Sequence, residues 1–310
     1  MRPFLAAVVL CTAVLAQVAS AAIPPAENTR PSAASLRAAH EALRDRLERS
    51  PFGKPLYLEA NEDQHRVSGE AYAVLDHPFA RSSRALSDPA QWCEILLLPF
   101  NTKQCESAVA ENSLALTIFI GRKYTTPLAR THRLDFHFST PDNTSDYLRV
   151  ELVAPSGPFG TRAYRIVFEL APVDEKHSFL HFAYSYEYGI LARAAMQTYL
   201  STIGAHKVGF TRVGSGDSTS DATLVRGMRG VMERNTMRYY LAIESYLESQ
   251  ATAPERRTPA MVESWFRAVE VYPRQLHELD HDEYVSMKLA EFERMHTRFS
   301  LARRTASWSP

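Results

Sequence analysis

The feature that most restricts this chain is a run of segments between Ser113 and Tyr188 whose apolar residues fall at every second position. In "THRLDFHFST", Leu134, Phe136 and Phe138 alternate with Arg133, Asp135 and His137. In "TRAYRIVFELAP", Tyr164, Ile166, Phe168 and Leu170 alternate with Arg165, Val167 and Glu169. "HSFLHFAYSYEYG" sets Leu180, Phe182, Tyr184, Tyr186 and Tyr188 on one side, and "SLALTIFIGRK" and "YLRVELVAP" read as further strands. Side chains of a strand alternate between its two faces, so each segment carries an apolar face that must be covered. Successive strands with turn signals between them predict an antiparallel meander, here with one strongly aromatic face.

The cover is legible further on. "GVMERNTMRYYLAIESYLESQ" is the strongest helical pattern of the chain. Met232, Thr236, Tyr239, Ile243 and Tyr246 share one stripe, widened by Met237, Tyr240 and Leu247. Upstream, "HRVSGEAYAVLD" reads as a strand in which Val67, Gly69, Ala71, Ala73 and Leu75 alternate with Tyr72 and Val74. It runs straight into "DHPFARSSRALSDPAQWC", which reads as two short helices. Asp76 and Asp88 suit capping positions, and Pro78 and Pro89 suit a first turn, where the missing N–H costs nothing. The order is strand, helix pair, antiparallel strands, long helix. It predicts a curved sheet wrapped on a long helix, with the helix pair closing the open end.

"SGEAYAVLDHPFARSSRALSDPAQW" resembles the first strand and helix pair of the START-like superfamily, also called the polyketide cyclase-like or helix-grip fold. "GMRGVMERNTMRYYLAIESYL" resembles its closing helix, and the likeness spans residues 65–250. The resemblance implies an α+β domain in which a curved antiparallel sheet grips a long C-terminal α-helix. It also implies a hydrophobic cavity for lipids, sterols, polyketides or other apolar molecules. The chain departs from a minimal member by an N-terminal helix, a helical insert at Gly189–Gly204 and a C-terminal helical extension.

Composition narrows the function classes. With 310 residues, 45% of them hydrophobic, the chain can bury one large core with an appendage. Lys+Arg and Asp+Glu are both 35, so the basic excess that neutralises phosphates is missing and nucleic acid is not an expected partner. Residues 1–21 read as a secretory signal: Arg2, an apolar run from Phe4 to Ala16, and the small residues Ala19, Ser20 and Ala21. The run stops at Gln17, short for a membrane span. The expected location is therefore the periplasm, with Cys11 removed in the leader. Residues 22–64 form a tail and an amphipathic helix carrying Leu36, Ala39, Leu43 and Leu47; residues 251–310 read as two helices broken near Pro273. Cys93 and Cys105 form an even pair in an oxidising compartment and read as a structural disulfide contributing about 2–3 kcal/mol.

The expected ligand-binding residues are Tyr72, Phe136, Phe138, Tyr164, Phe168, Phe182, Tyr184, Tyr186, Asn235, Met237 and Tyr240. Tyrosine joins an apolar body to a polar tip, which suits a pocket that orients an amphiphile. The same aromatics also suit a filled core. Asn235, beside the helix stripe, can reach a ligand carbonyl or a strand backbone group, and Arg229 can meet a head group or serve the structure alone. His137 and His181 fall opposite the aromatic faces. His277 and His281 are spaced to share a metal with Glu278 or Asp280, but the metalloprotease order of ligands is missing and a charged helix start is the commoner reading. Serine-elbow, phosphate-loop and dinucleotide motifs are missing from the sequence. No cofactor, metal or catalytic residue is expected. Three readings stay open: an exported carrier of a hydrophobic small molecule or lipid, an enzyme of cyclase, dehydratase or hydrolase type in the same cavity, and an interaction protein with a filled core. In the last, Trp265, Phe266, Tyr284 and Phe292 of the C-terminal helices would dock a protein or a membrane surface, or pack on the domain.

Overall fold

A computed structural model describes residues 30–110, 113–189, 193–194, 196, 198, 202, 206–213 and 223–306. The expected leader, most of the Gly189–Gly204 helix and the turn at 214–222 lie outside the described residues. Residues 31–310 cluster as one compact unit.

Helix α1 (Ala33–Glu48) is followed by strands β1 (Leu56–Glu62) and β2 (Arg66–Leu75). Two helices, α2 (Phe79–Leu86) and α3 (Pro89–Leu97), come next. Six strands follow: β3 (Thr102–Ala110), β4 (Ser113–Ile120), β5 (His132–Asn143), β6 (Leu148–Ser156), β7 (Thr161–Pro172) and β8 (Ser178–Tyr188). The short strands β9 (Arg212–Val213) and β10 (Thr223–Leu224) pair with each other. The long helix α4 (Gly227–Ser249) precedes α5 (Pro254–Glu270), α6 (Pro273–Leu276) and α7 (His281–Ala306).

The main sheet is antiparallel, in the order β1-β2-β8-β7-β6-β5-β4-β3. The chain leaves the sheet at β2, crosses on α2 and α3, re-enters at the far edge with β3, and zigzags back until β8 lies beside β2. The helix pair thus carries the chain from β2 to the far edge strand β3. Asp88 caps α3 through the Ala90 amide with Pro89 in its first turn, as its spacing predicts. Asp76 does not cap: α2 begins one residue after Pro78, which itself occupies the cap position. Buried Trp92 donates from its indole N–H to the Leu86 carbonyl at 2.8 Å and meets Phe168 edge-on, locking the pair to the sheet. The Cys93–Cys105 disulfide ties α3 to β3. Register shifts in β5 and β7 interrupt the ladders beside β6 and β8, where extra residues bend and twist a strand.

Small side chains decide where α4 lies. The inner face of β2 offers Val67, Gly69, Ala71 and Ala73, all fully buried or without a side chain. Helix α4 packs on β2, β1 and β8. A Cβ built on Gly69 would stand 2.1 Å from Thr236 Oγ1 and 2.8 Å from Met232 Cγ, so the glycine admits the helix.

The outer side of α4 is buried too. Met261, Val262, Trp265 and Val269 of α5, with Tyr284 and Phe292 of α7, belong to the same apolar cluster as the sheet and α4. The Tyr284 hydroxyl donates to the Leu98 carbonyl, and the fully buried Lys288 ammonium donates to the carbonyls of Pro99 and Thr102. Those acceptors follow the end of α3, where a cation is favoured. The apolar side chains of α5 and α7 named above are therefore packed into this core, and the unusual width of the α4 stripe reflects burial on two sides.

Gly69→Ala is expected to cost about 1–3 kcal/mol by overpacking. The Thr236 hydroxyl it would strike is buried and has no hydrogen-bond partner among the described residues. Thr236→Ala should therefore restore a large part of the loss in the double variant. Urea unfolding of the four proteins measures this; strictly additive losses would show that the helix does not approach the strand here.

Candidate functional site

A cavity of about 630 Å³ lies between the sheet and α4. Three groups of residues build its wall. The sheet contributes Ile120 of β4, Tyr164 of β7 and Tyr184 and Tyr186 of β8; α4 contributes Asn235, Arg238 and Tyr239; the connecting segments contribute Phe100, Arg122, Lys123, Met196, Lys207 and Glu278, among others. The hollow has a geometric cause. Because α4 packs on β1, β2 and β8, it leaves the rest of the concave face for aromatic side chains and for empty space.

The aromatic wall is ordered by ring contacts. Tyr164 and Tyr186 stack with centroids 5.1 Å apart, and Tyr184 meets Tyr239 edge-on at 5.6 Å. The Tyr164 hydroxyl lies 2.7 Å from Thr161 Oγ1. Burial raises the pKa of all four: Tyr184 goes well above its ordinary value, and Tyr239 is pushed up to about 12. At neutral pH these phenols are neutral hydrogen-bonding groups.

The opposite part of the wall is charged. Arg238 donates to Glu278 Oε1 at 2.9 Å and Lys207 to both Glu278 oxygens at 2.7 and 2.9 Å. The Arg238 guanidinium lies 5.7 Å from the centre of the Phe100 ring. Burial pulls Arg238 below its ordinary pKa, opposed by Glu278. Burial would raise Glu278, but Arg238 and Lys207 hold it below the usual carboxylate value.

Of the residues expected to bind a ligand, Tyr164, Tyr184, Tyr186 and Asn235 lie on this wall. Phe136, Phe138, Phe168 and Phe182 stand in the core beside it, Phe136 edge-on to Tyr164 and Phe182 against Tyr239. Met237 and Tyr240 are fully buried but do not line the cavity. Tyr240 donates to Glu244 and carries Lys54 against its ring. Tyr72 lies on the other face of the sheet, packed with Phe179 near α1. Its position was legible: Tyr72 alternates with Gly69, Ala71 and Ala73, which face α4. Arg229 donates to the Ala60 carbonyl and does not line the cavity. His277 bonds Glu270 and His281 bonds Glu263 and Asp282; among the described residues no three ligating side chains gather for a metal. Phe100, Lys207, Arg238, Tyr239 and Glu278 were not expected in the site. Tyr239 had a signal, being one turn from Asn235; the loop residues had none.

The convex face holds a second, smaller hollow of about 340 Å³ around His181. His181 Nδ1 is 2.7 Å from Glu169 and Nε2 is 3.0 Å from Glu70, and its ring stacks on Tyr72 at 4.4 Å. Tyr147 and Arg149 bond the other oxygen of Glu169, and Tyr72 donates to Glu70. The network is satisfied from within and fastens β2, β6, β7 and β8. Burial alone would lower the His181 pKa; the two carboxylates overcome it and raise it to about 9. Burial would raise Glu169, yet its bonds to His181, Tyr147 and Arg149 bring it down to about 2.

No protein-family model matches the sequence, and no curated protein matches it. Solved structures similar to the chain include the ZhuI aromatase/cyclase from Streptomyces sp. R1128, at 12% identity and TM-score 0.35, covering 62% of this chain and 96% of that one. A protein from Thermus thermophilus has 12% identity and TM-score 0.37, covering 60% and 99%. A START superfamily protein from Mycobacterium smegmatis has 13% identity and TM-score 0.30, covering 46% and 93%. The connectivity of β2, α2, α3, the six-strand meander and α4 is that of the helix-grip arrangement. The fold is an α+β antiparallel sheet gripping a long helix. To it the chain adds β1 at the sheet edge, α1 on the convex face and a helical layer behind α4.

The His181 network sets a pH dependence. A histidine raised from 6.5 to about 9 contributes its full stabilisation below pH 6.5 and loses it as pH rises through 9. Glu169, lowered from 4.5 to about 2, contributes above pH 4.5 and loses it as pH falls towards 2. Lys288, brought down to about 8 by burial, has the opposite alkaline slope, so the comparison must be with a variant. The urea midpoint of the parent protein should fall between pH 6.5 and 9 relative to that of His181→Gln; parallel curves would refute a charged His181.

Proposed function

We propose that this chain is an exported, non-catalytic binding protein that holds a hydrophobic ligand in the cavity between the sheet and α4, shielding it or carrying it between membranes. The chamber of about 630 Å³ carries this reading. Its size falls within the range of small-molecule sites, and its wall joins a tyrosine surface to at least as much polar surface. Removing apolar ligand surface from water is worth about 25 cal/mol per Å², so the part of an apolar ligand that the tyrosine wall covers needs no covalent step to be held. Export is supported by the leader-like residues 1–21 and by the Cys93–Cys105 disulfide.

The cavity chemistry weighs against general-base catalysis. Its buried tyrosines stay protonated, and the one carboxylate among its described lining residues, Glu278, is already bonded to two cations. A general base needs a free electron pair near the working pH.

Native mass spectrometry of the purified chain, with titration of the neutral probe N-phenyl-naphthylamine, tests the proposal. Bound adducts or saturable probe fluorescence are expected. Asn235→Phe, which fills the wall from α4, should weaken probe binding about tenfold while the unfolding temperature changes little. A clean apo mass together with no probe uptake would sink the carrier reading.

A further inference from the structure

The described lining residues of the cavity include four cations, Arg122, Lys123, Lys207 and Arg238, and one carboxylate, Glu278. Glu278 is shared between Lys207 and Arg238, so two cations lean on a single acid. Arg238 is the most constrained of the four. Its side chain is 12% exposed, and it holds Glu278 and, at 3.4 Å, the Leu276 carbonyl through one terminal nitrogen. Its Nε is sealed inside the protein, so a ligand can meet only the terminal nitrogens, of which one already serves Glu278 and the Leu276 carbonyl. Arg122 and Lys123 stand exposed on the wall, and Asn235 adds an amide one turn from Tyr239. The tyrosine wall formed by Tyr164, Tyr184, Tyr186 and Tyr239 offers an apolar surface in the same chamber.

We propose that the cavity selects amphiphiles with a single anionic head group, a carboxylate or a phosphate, held by Arg238 with Lys123, the apolar body lying against the tyrosine wall. The inference rests on the reading of this cavity as a ligand site. Charge-assisted hydrogen bonds to a fork-shaped donor add geometric preference to attraction, and a partly buried site screens that attraction less than bulk water does.

The test compares dansyl-undecanoic acid with its neutral methyl ester on the full chain. The acid should bind about tenfold or more tightly than the ester, and the ratio should shrink as salt is raised. Arg238→Gln should bring the ratio towards one. Because Arg238 also bonds Glu278, Lys123→Glu on the exposed wall provides a second variant without that structural cost, and it should lower the ratio as well. Displacement of the bound acid by oleate or by lysophosphatidic acid separates a carboxylate head from a phosphate head, and displacement by neither would overturn the proposal. Equal binding of acid and ester by the parent chain would overturn the anion preference while leaving the ligand site standing. If neither probe binds and N-phenyl-naphthylamine is also excluded, the ligand site itself is lost.

Discussion

The close approach of α4 to β2 is the contact on which the architecture turns. With no side chain at Gly69 and only methyls at Ala71 and Ala73, the helix settles against one side of the concave sheet. Had β2 carried bulky residues, the helix would stand further from the strand and lie differently over the sheet. Placed as it is, α4 leaves room above β7 and the far end of β8, and the tyrosines there face a chamber while Phe168 and Phe182, paired further along the same strands, fill the core. The cavity is thus a consequence of where small residues occur, and large ones only decorate its wall.

A second constraint acts from behind. A helix that grips a sheet usually leaves one side in water, and such a helix is amphipathic. Here α5 covers the outer side of α4, the Trp265 indole donating to the Arg238 carbonyl, and α7 packs in turn on α5, β3 and α3. Polar pins accompany this layer: Lys288 on the carbonyls after α3, and the Lys103–Glu291 pair at 2.8 Å beside it. Both of these buried cations have partners, as they must where water is excluded. The same layer supplies Glu278, so the added helices complete the wall of the cavity and hold α4 in place at once.

The two faces of the sheet use tyrosine and charge differently. On the convex face Tyr72, Tyr147, His181, Glu70 and Glu169 answer one another completely. On the concave face the tyrosines meet mainly other rings, Lys207 and Arg238 share one acid, and a guanidinium donor of Arg238 stays unmet among the described residues. A closed network stabilises; two cations on one acid leave positive charge beside the cavity. That difference could not be inferred from the residue types, which are alike on both faces.

Local pattern by itself determined the strands from β4 to β8, the helix pair after β2, the Asp88 cap and the long helix, because periodicity and capping are properties of neighbouring residues. It also marked the aromatic face, and with it Tyr164, Tyr184 and Tyr186. Tertiary structure decided the rest. Met237 and Tyr240 share the apolar stripe of α4 with Tyr239, yet only Tyr239 faces the chamber, since a helix buried on two sides shows no polar stripe to reveal which way it turns. Lys207, Arg238 and Glu278 come from three separated segments, and no spacing in the chain announces that they meet. Such a site is made by the path of loops across a sheet edge, and that path is set by packing at a distance from the residues it brings together.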